Sequence, residues 1–312
     1  HHGYHFRNEH SEKLSRKLQK LIGFKAGASV FLSSGSEAVN LSISLARHLS
    51  KRERILKTDN SYLSAYGFGQ SSTENTVPVL LKFNDTDSVK TINFENIAAF
   101  VIEIGGASSG IVKFPDSEFL EECINKARQS GCMIIVDEVT TGMGRTGKWF
   151  GFQHYDLIPD MVVTGKALGN GYPISALTIT KDLSERFKSD PFRYAQSHQN
   201  DPLGCAIGLE VIKYIKKNKL IDKCNKSGRY FAQKLLNLKK KYPKKIKDVR
   251  SKGLLAALEF RESFSGENIN RQLFQSGFVT GFKMNTVRFL PPLTIKKSDL
   301  DNLVNKLDQL LN

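Results

Sequence analysis

The chain's 312 residues are 40% hydrophobic and 25% charged, a balance that excludes disorder, collagen and a coiled coil. A surplus of 46 Lys/Arg over 31 Asp/Glu leaves a net charge of +15, so nucleic acid is the first partner to weigh. No apolar run reaches the roughly 18 residues of a membrane helix, and no basic-then-apolar leader opens the chain, so the expectation is a soluble, cytoplasmic protein with no membrane partner. In chain order, Leu14, Leu18, Leu21 and Ile22 recur at helical spacing and predict an amphipathic helix over residues 12–22. Residues 29–32 read as a short strand entering Ser33-Ser34-Gly35-Ser36, and 37–49 as the helix that follows. The runs 98–104 and 132–139 are continuously apolar and end in acids, as buried parallel strands do. Residues 118–129 supply the crossover helix between them, and 161–164 another short strand ending at Gly165-Lys166. From about residue 203 long helical patterns take over, with strands predicted at 253–260 and 287–290 and a closing amphipathic helix over 298–311.

This alternation predicts an α/β fold, divided into a large domain over 1–204 and a smaller α/β domain over 205–312. Cys123, Cys132, Cys205 and Cys224 stand at irregular gaps with no CxxC pair, which argues against a disulfide framework or a zinc site and for a reducing compartment. His1, His2, His5 and His10 are too loosely spaced for a metal site and read as surface residues or a tag remnant. Residues 213–250 hold 15 Lys/Arg against Asp222 and Asp248. Apolar residues interleave at helical spacing there, so the stretch reads as helices with a solvated basic face rather than a nucleic-acid interface.

Three features fall at strand ends, where parallel sheets bind ligands. Ser34, Gly35 and Ser36 open a helix whose amides and dipole suit a phosphate; an ordinary cap supplied by Ser36 alone is the bland alternative. Asp137 ends an apolar run and asks for a cation such as a protonated pyridine nitrogen; an acid capping the strand end or pairing with Arg145 is the alternative. Lys166 lies among apolar residues and glycines, where desolvation favours the neutral amine that forms a Schiff base; a lysine snorkelling from a strand end is the alternative. Residues 142–147 match GxGxxG, but no helical stripe follows and Asp160 precedes a strand, so a dinucleotide site is rejected.

Together the stretches FLSSGSEAVNLSISLAR (31–47), DEVTTGMGRTGKWFGFQHYDLIPDMVVTGKALGNGYPISA (137–176), DPLGCA (201–206) and RFLPPLTI (288–295) resemble the class III pyridoxal-phosphate aminotransferases, nearest the ornithine and acetylornithine group. The resemblance implies the type I fold of pyridoxal-phosphate enzymes, with a mainly parallel large-domain sheet, and a homodimer with its active site at the interface. It implies pyridoxal 5'-phosphate as cofactor, and an amino acid or ω-amine donor with a 2-oxo acid acceptor as substrates. By resemblance, Lys166 holds the cofactor covalently and Asp137 pairs with the pyridinium. Val139 and Tyr62 pack on the ring faces, and Gly35 and Ser36, beside Ser34, take the phosphate. Ser197 reaches the phosphate of a partner subunit. Arg288 grips the substrate carboxylate, and Glu103 can pair with that arginine. No metal is implied.

The departures are Tyr62-Leu63-Ser64 for the usual Tyr-His-Gly, Glu103-Ile104-Gly105-Gly106 for Glu-Pro-hydrophobic-Gln-Gly, Thr140 for a common Gln, and Asp201-Pro202 for Asn-Pro. Members also usually carry a further segment ahead of this region, which another chain could supply, trimming could remove, or the protein could lack. An aminomutase, racemase or decarboxylase of the same fold, and a cofactor-binding but inactive or split chain, therefore stay open.

Overall fold

A computed structural model describes residues 8–69, 78–106 and 110–312; His1, His2 and His5 lie outside them. Among the described residues, β1 (Gly27–Leu32), β2 (Arg54–Thr58), β3 (Val79–Leu81), β4 (Ile97–Glu103), β5 (Met133–Asp137), β6 (Met161–Thr164) and β7 (Ser175–Thr180) form one sheet in the order β1-β7-β6-β5-β4-β2-β3. The strands from β6 through β3 pair in parallel, and β7 runs antiparallel between β6 and β1. The sheet is therefore mainly parallel, as expected, with one reversed strand that the sequence reading did not mark.

Helices cover both faces. They are α1 (Glu9–Ile22), α2 (Gly35–Ser50), α3 (Thr86–Thr91), α4 (Ser117–Gln129), α5 (Lys181–Ser189), α6 (Pro202–Lys217) and α7 (Leu220–Lys241). The alternation along β4 and β5 divides the core. Phe100, Ile102, Ile134 and Val136 face the side of α1, α4 and α6, while Ala99, Val101, Met133 and Ile135 face α2. Every residue of β4 and β5 is buried, which is why those strands read as unbroken apolar runs.

The second sheet is antiparallel, with β8 (Ile246–Lys252), β9 (Leu255–Phe260), β10 (Gly281–Lys283) and β11 (Thr286–Phe289) in the order β10-β11-β9-β8. It is covered by α7, α8 (Gly266–Gln275) and α9 (Lys297–Leu311), around Phe231, Leu235, Leu258, Phe289 and Leu307. Residue 205 lies inside α6, where Cys205, Ile212 and Ile215 join the first core; Phe231, Leu235 and Leu238 of α7 join that of the second sheet. The basic stretch forms the end of α6, all of α7 and, where helices alone were expected, most of β8; in α7 Leu220, Cys224, Phe231, Leu235 and Leu238 are buried and Leu236 is turned outward. Lys234 and Lys241 of α7 pair with Asp301 and Asp308 of α9.

All four cysteines are free and buried. Among the described residues, no helix is long and apolar enough to cross a membrane.

Candidate functional site

The site begins where β1 turns into α2. Ser34, not Ser36, is the cap: its hydroxyl accepts from Glu37 N at 3.2 Å, and Glu37 Oε2 accepts from the amides of Ser33 at 2.8 Å and Ser34 at 2.6 Å. This reciprocal capping box leaves Gly35 and Ser36 as first-turn residues, whose amides have no intrahelical acceptor. The Ser36 hydroxyl accepts from Ala65 N at 3.0 Å and so anchors the segment after β2 over the start of α2.

Val139 ties this turn to the ends of β5 and β6. A Cβ on Gly35 would stand 2.8 Å from both Val139 methyls, and one on Gly165 would stand 3.4 Å from Cγ1. At Gly35 the valine side chain leaves no room for a Cβ, whereas at Gly165 a Cβ would make an ordinary van der Waals contact. Ser175 of β7 closes the group by donating its hydroxyl to Ser34 O at 2.7 Å.

Asp137 is the last residue of β5 and 3% exposed. Its Oδ1 accepts from Val139 N at 2.9 Å. Burial first and the charge of Glu103 second push its carboxyl up to about 7, against the Val139 N–H and the Lys166 charge. Glu103 sits in register beside it across β4–β5 and is 2% exposed. Arg145, considered as a partner for Asp137, points elsewhere: its Nη1 donates to Leu254 O and Pro291 O.

Glu138 is a residue whose role the sequence reading missed. It accepts from the Thr141 hydroxyl at 2.7 Å and from the amides of Gly151 at 2.8 Å and Phe152 at 2.7 Å. Burial raises its carboxyl to about 7 despite these bonds. Its bonds bracket the turns over residues 142–147, which lead to a short 3₁₀ turn and not to the α-helix that a dinucleotide site would need. The signal was present in the sequence: neighbours at a strand end point to opposite sides, so Asp-Glu places one acid in the site and one in the scaffold.

Lys166 follows β6 and Gly165 with φ +41°. A side-chain-bearing residue in this left-handed region costs on the order of 1–3 kcal/mol, strain that concentrates at functional sites. Its Nζ donates to Thr140 Oγ1 at 2.9 Å, and its charge acts on Asp137.

The first sheet thus brings together Ser34, Gly35, Ser36, Asp137, Val139 and Lys166, with Glu103 beside Asp137. Tyr62 is half-exposed on the segment that Ala65 anchors to Ser36. Ser197 is exposed on the loop before α6, where Asn200 bonds both polar backbone atoms of Phe31 in β1. Arg288 is half-buried on β11 in the second sheet, packed so closely against β10 that a Cβ on Gly281 would strike its side chain. The second sheet meets the loop leaving β4 where Leu255 and Ala257 pack on Val112.

The chain matches the family Aminotransferase class-III over residues 71–311. It is 31% identical to an acetylornithine aminotransferase of Methanocaldococcus jannaschii, over 96% of this chain and 77% of that protein. It is 28% identical to an ornithine aminotransferase of Oceanobacillus iheyensis, over 98% and 80%. Among solved structures, ornithine delta-aminotransferase of Plasmodium falciparum superposes with a TM-score of 0.84 at 27% identity, over 98% of this chain and 78% of that one. An S-selective transaminase of Arthrobacter sp. shares the fold with a TM-score of 0.89 at 21% identity, over 98% and 80%. A family match across most of the length, joined to a 31%-identical relative covering nearly all of it, makes this chain a member of the class III aminotransferases.

Proposed function

We propose that the chain binds pyridoxal 5'-phosphate where β1, β5 and β6 end, and transfers an amino group from an amino acid or ω-amine donor to a 2-oxo acid. The observation that carries this reading is the meeting of a capped helix start, a buried carboxyl and a strained lysine around Val139. The residues present fit the group. First-turn amides at Gly35 and Ser36 suit a phosphate, Asp137 is a buried acid whose carboxyl burial and the Glu103 charge push up, and Lys166 carries an amine within hydrogen-bond reach of Thr140.

Bound there, pyridoxal phosphate supplies an aldehyde that condenses with amines and a protonated ring that draws electrons from the breaking bond. The chain's part is positioning and proton movement. Gly35 and Ser36, beside Ser34, hold the phosphate. Asp137 keeps the proton on the ring nitrogen, and Val139 and Tyr62 hold the ring faces. The Lys166 amine takes the proton from the donor's Cα and returns it on the far side of the exchange. Arg288 offers a bidentate clamp to a substrate carboxylate, with Glu103 available to pair with that arginine. Ser197 serves the phosphate of a partner subunit in a homodimer. Four free, buried cysteines suit a reducing cytoplasm.

The test is reconstitution with pyridoxal phosphate, followed by borohydride reduction and peptide mass mapping. The wild-type chain should develop a visible absorption band, carry the reduced cofactor on Lys166, and form glutamate from an amino donor and 2-oxoglutarate. Lys166→Ala should lose all three. Cofactor fixed at another lysine would overturn the assignment.

A further inference from the structure

We propose that Thr140 is a positioning residue for Lys166: its hydroxyl holds the lysine amine in one rotamer whenever that amine is not bonded to the cofactor. The proposal rests on the cofactor reading above. Its own basis is the 2.9 Å bond from Lys166 Nζ to Thr140 Oγ1.

The two side chains differ in freedom. Lysine has four rotatable bonds and about 2 kcal/mol of rotamer entropy to lose when its head is fixed, and Lys166 is exposed. Threonine is branched at Cβ and stiff at χ1. The backbone on either side of Thr140 is also fixed. Val139 N bonds Asp137 Oδ1 at 2.9 Å, Glu138 N bonds Val163 O at 2.8 Å, and the Thr141 hydroxyl bonds Glu138 Oε2 at 2.7 Å. The hydroxyl is therefore a fixed post and the lysine a mobile arm. With pyridoxal phosphate bound, a donor's amine would take the place of the Lys166 amine in the first half-reaction, and the lysine would stay free until the product amino acid leaves in the second. The freed amine must then stay close enough to take one proton from the substrate and give it back. An acceptor at Thr140 keeps it in place without a charge that would compete for that proton.

The test compares Thr140→Val, which keeps the branched shape and removes the oxygen, with Thr140→Ser, which keeps the oxygen. In cofactor-free protein, amine labelling with trinitrobenzenesulfonate is followed at Lys166 by peptide mass, with exposed Lys244 as the internal control. Loss of the acceptor should speed labelling at Lys166 about threefold in the valine variant, leaving Lys244 alone, while the serine variant follows wild type. In the loaded enzyme, Thr140→Val should lower kcat about three- to tenfold with KM moving by less than about twofold, and should enlarge the isotope effect with an α-deuterated donor; Thr140→Ser should restore most of the rate. Wild-type labelling in the valine variant, or an equal loss in the serine and valine variants, would overturn the proposal. Failure of the cofactor reading has a different signature: wild type itself would carry no cofactor at Lys166, while the labelling comparison would still report whether Thr140 holds the amine.

Discussion

Asp137 and Glu138 are neighbours in the chain, both nearly inaccessible, and burial pushes both carboxyls to about 7. Their surroundings separate them. Glu138 accepts three hydrogen bonds from its own loop, whereas Asp137 lies beside a second carboxyl, Glu103, and within the field of Lys166. The direction of the shift fixes a pH dependence. The folded Asp137 holds its proton to about 7, while the unfolded chain releases it near 3.8. Between those values the native state binds more protons, so stability present below the unfolded value is lost as pH rises through the folded one. The ceiling for one such group is about 4 kcal/mol, and less where it shares protons with a neighbour. Asp137→Asn should therefore flatten the fall of the cofactor-free protein's Tm between about pH 4 and 7, while Glu138 keeps its own share of the slope. Equal slopes in wild type and variant would show that Asp137 is not the group at strain. At this scale the sequence was most legible where chemistry and strand ends coincide, at Asp137 and Lys166. It was least legible where a role depends on orientation across the fold. Thr140 read only as a departure from a family pattern, and the alternative of a cap fell on Ser36 rather than Ser34, because the Glu37 carboxylate that makes Ser34 the cap declares itself only through its bonds.

The elements that were legible are those with an uninterrupted signal. β6 falls on the predicted residues, and β4 and β5 fall within a few. Helices α1 and α2 begin three and two residues before the predicted starts at 12 and 37, because Asn8 and Ser34 cap them from upstream. The missed strands are short or mixed. β10 has three residues, and β8 buries only Ile246 fully, so neither offers a period to read. β7 is buried along all but its last residue yet mixes Ser175, Thr178 and Thr180 with its apolar residues, so it shows neither a period of two nor an unbroken apolar run. Glycines on helix faces were equally silent, and their environments now predict opposite outcomes. Replacing an interior helix glycine by alanine gains up to about 1 kcal/mol of helix propensity. At Gly228 of α7 the new methyl would strike the Gly253 backbone, with the carbonyl carbon at 2.5 Å. Gly253 cannot retreat, because its other side abuts the backbone of Arg145, Thr146 and Gly147. Overpacking of about 1–3 kcal/mol or more should win there. At Gly208 of α6 the nearest atom is Leu14 Cδ2 at 2.9 Å, the end of a buried side chain rather than backbone. Gly228→Ala should thus lower the urea midpoint clearly, while Gly208→Ala should leave it unchanged or raise it slightly. Equal effects at the two sites would refute the distinction between backbone and side-chain neighbours.

At the scale of the whole molecule, the net charge of +15 sits largely on solvated helix faces. Exposed pairs such as Lys241–Asp308 are worth little, and charges beyond the Debye length of about 8 Å are screened at physiological salt. Retention on heparin should therefore be weak, insensitive to sequence on DNA, and lost as salt rises; retention at physiological salt would contradict the solvated-face reading. The larger consequence lies in how the two sheets are joined. Arg145, in the turn after β5, donates to Leu254 O, just before β9, and Pro291 O, just after β11, at one shared end of these antiparallel strands of the second sheet. Arg250 of β8 reaches back to Val112 O and Ile111 O in the loop leaving β4. The groups proposed for the cofactor's ring and phosphate all lie on the first sheet or on segments bonded to it, whereas Arg288, proposed for the substrate carboxylate, lies on the second. Loosening the join should therefore separate two functions that a local lesion would not. Arg145→Met keeps the length and apolar stem but leaves two carbonyls without their donor, each worth about 1–3 kcal/mol where buried. The expected result is a lower urea midpoint, a visible cofactor band of near wild-type strength, and a KM for a carboxylate-bearing donor raised about tenfold, which corresponds to about 1.4 kcal/mol. If the cofactor band and donor binding fall together, Arg145 supports the first sheet alone. If neither changes, the sheets are held by their apolar contact at Val112, Leu255 and Ala257, and the arginine is dispensable to the join.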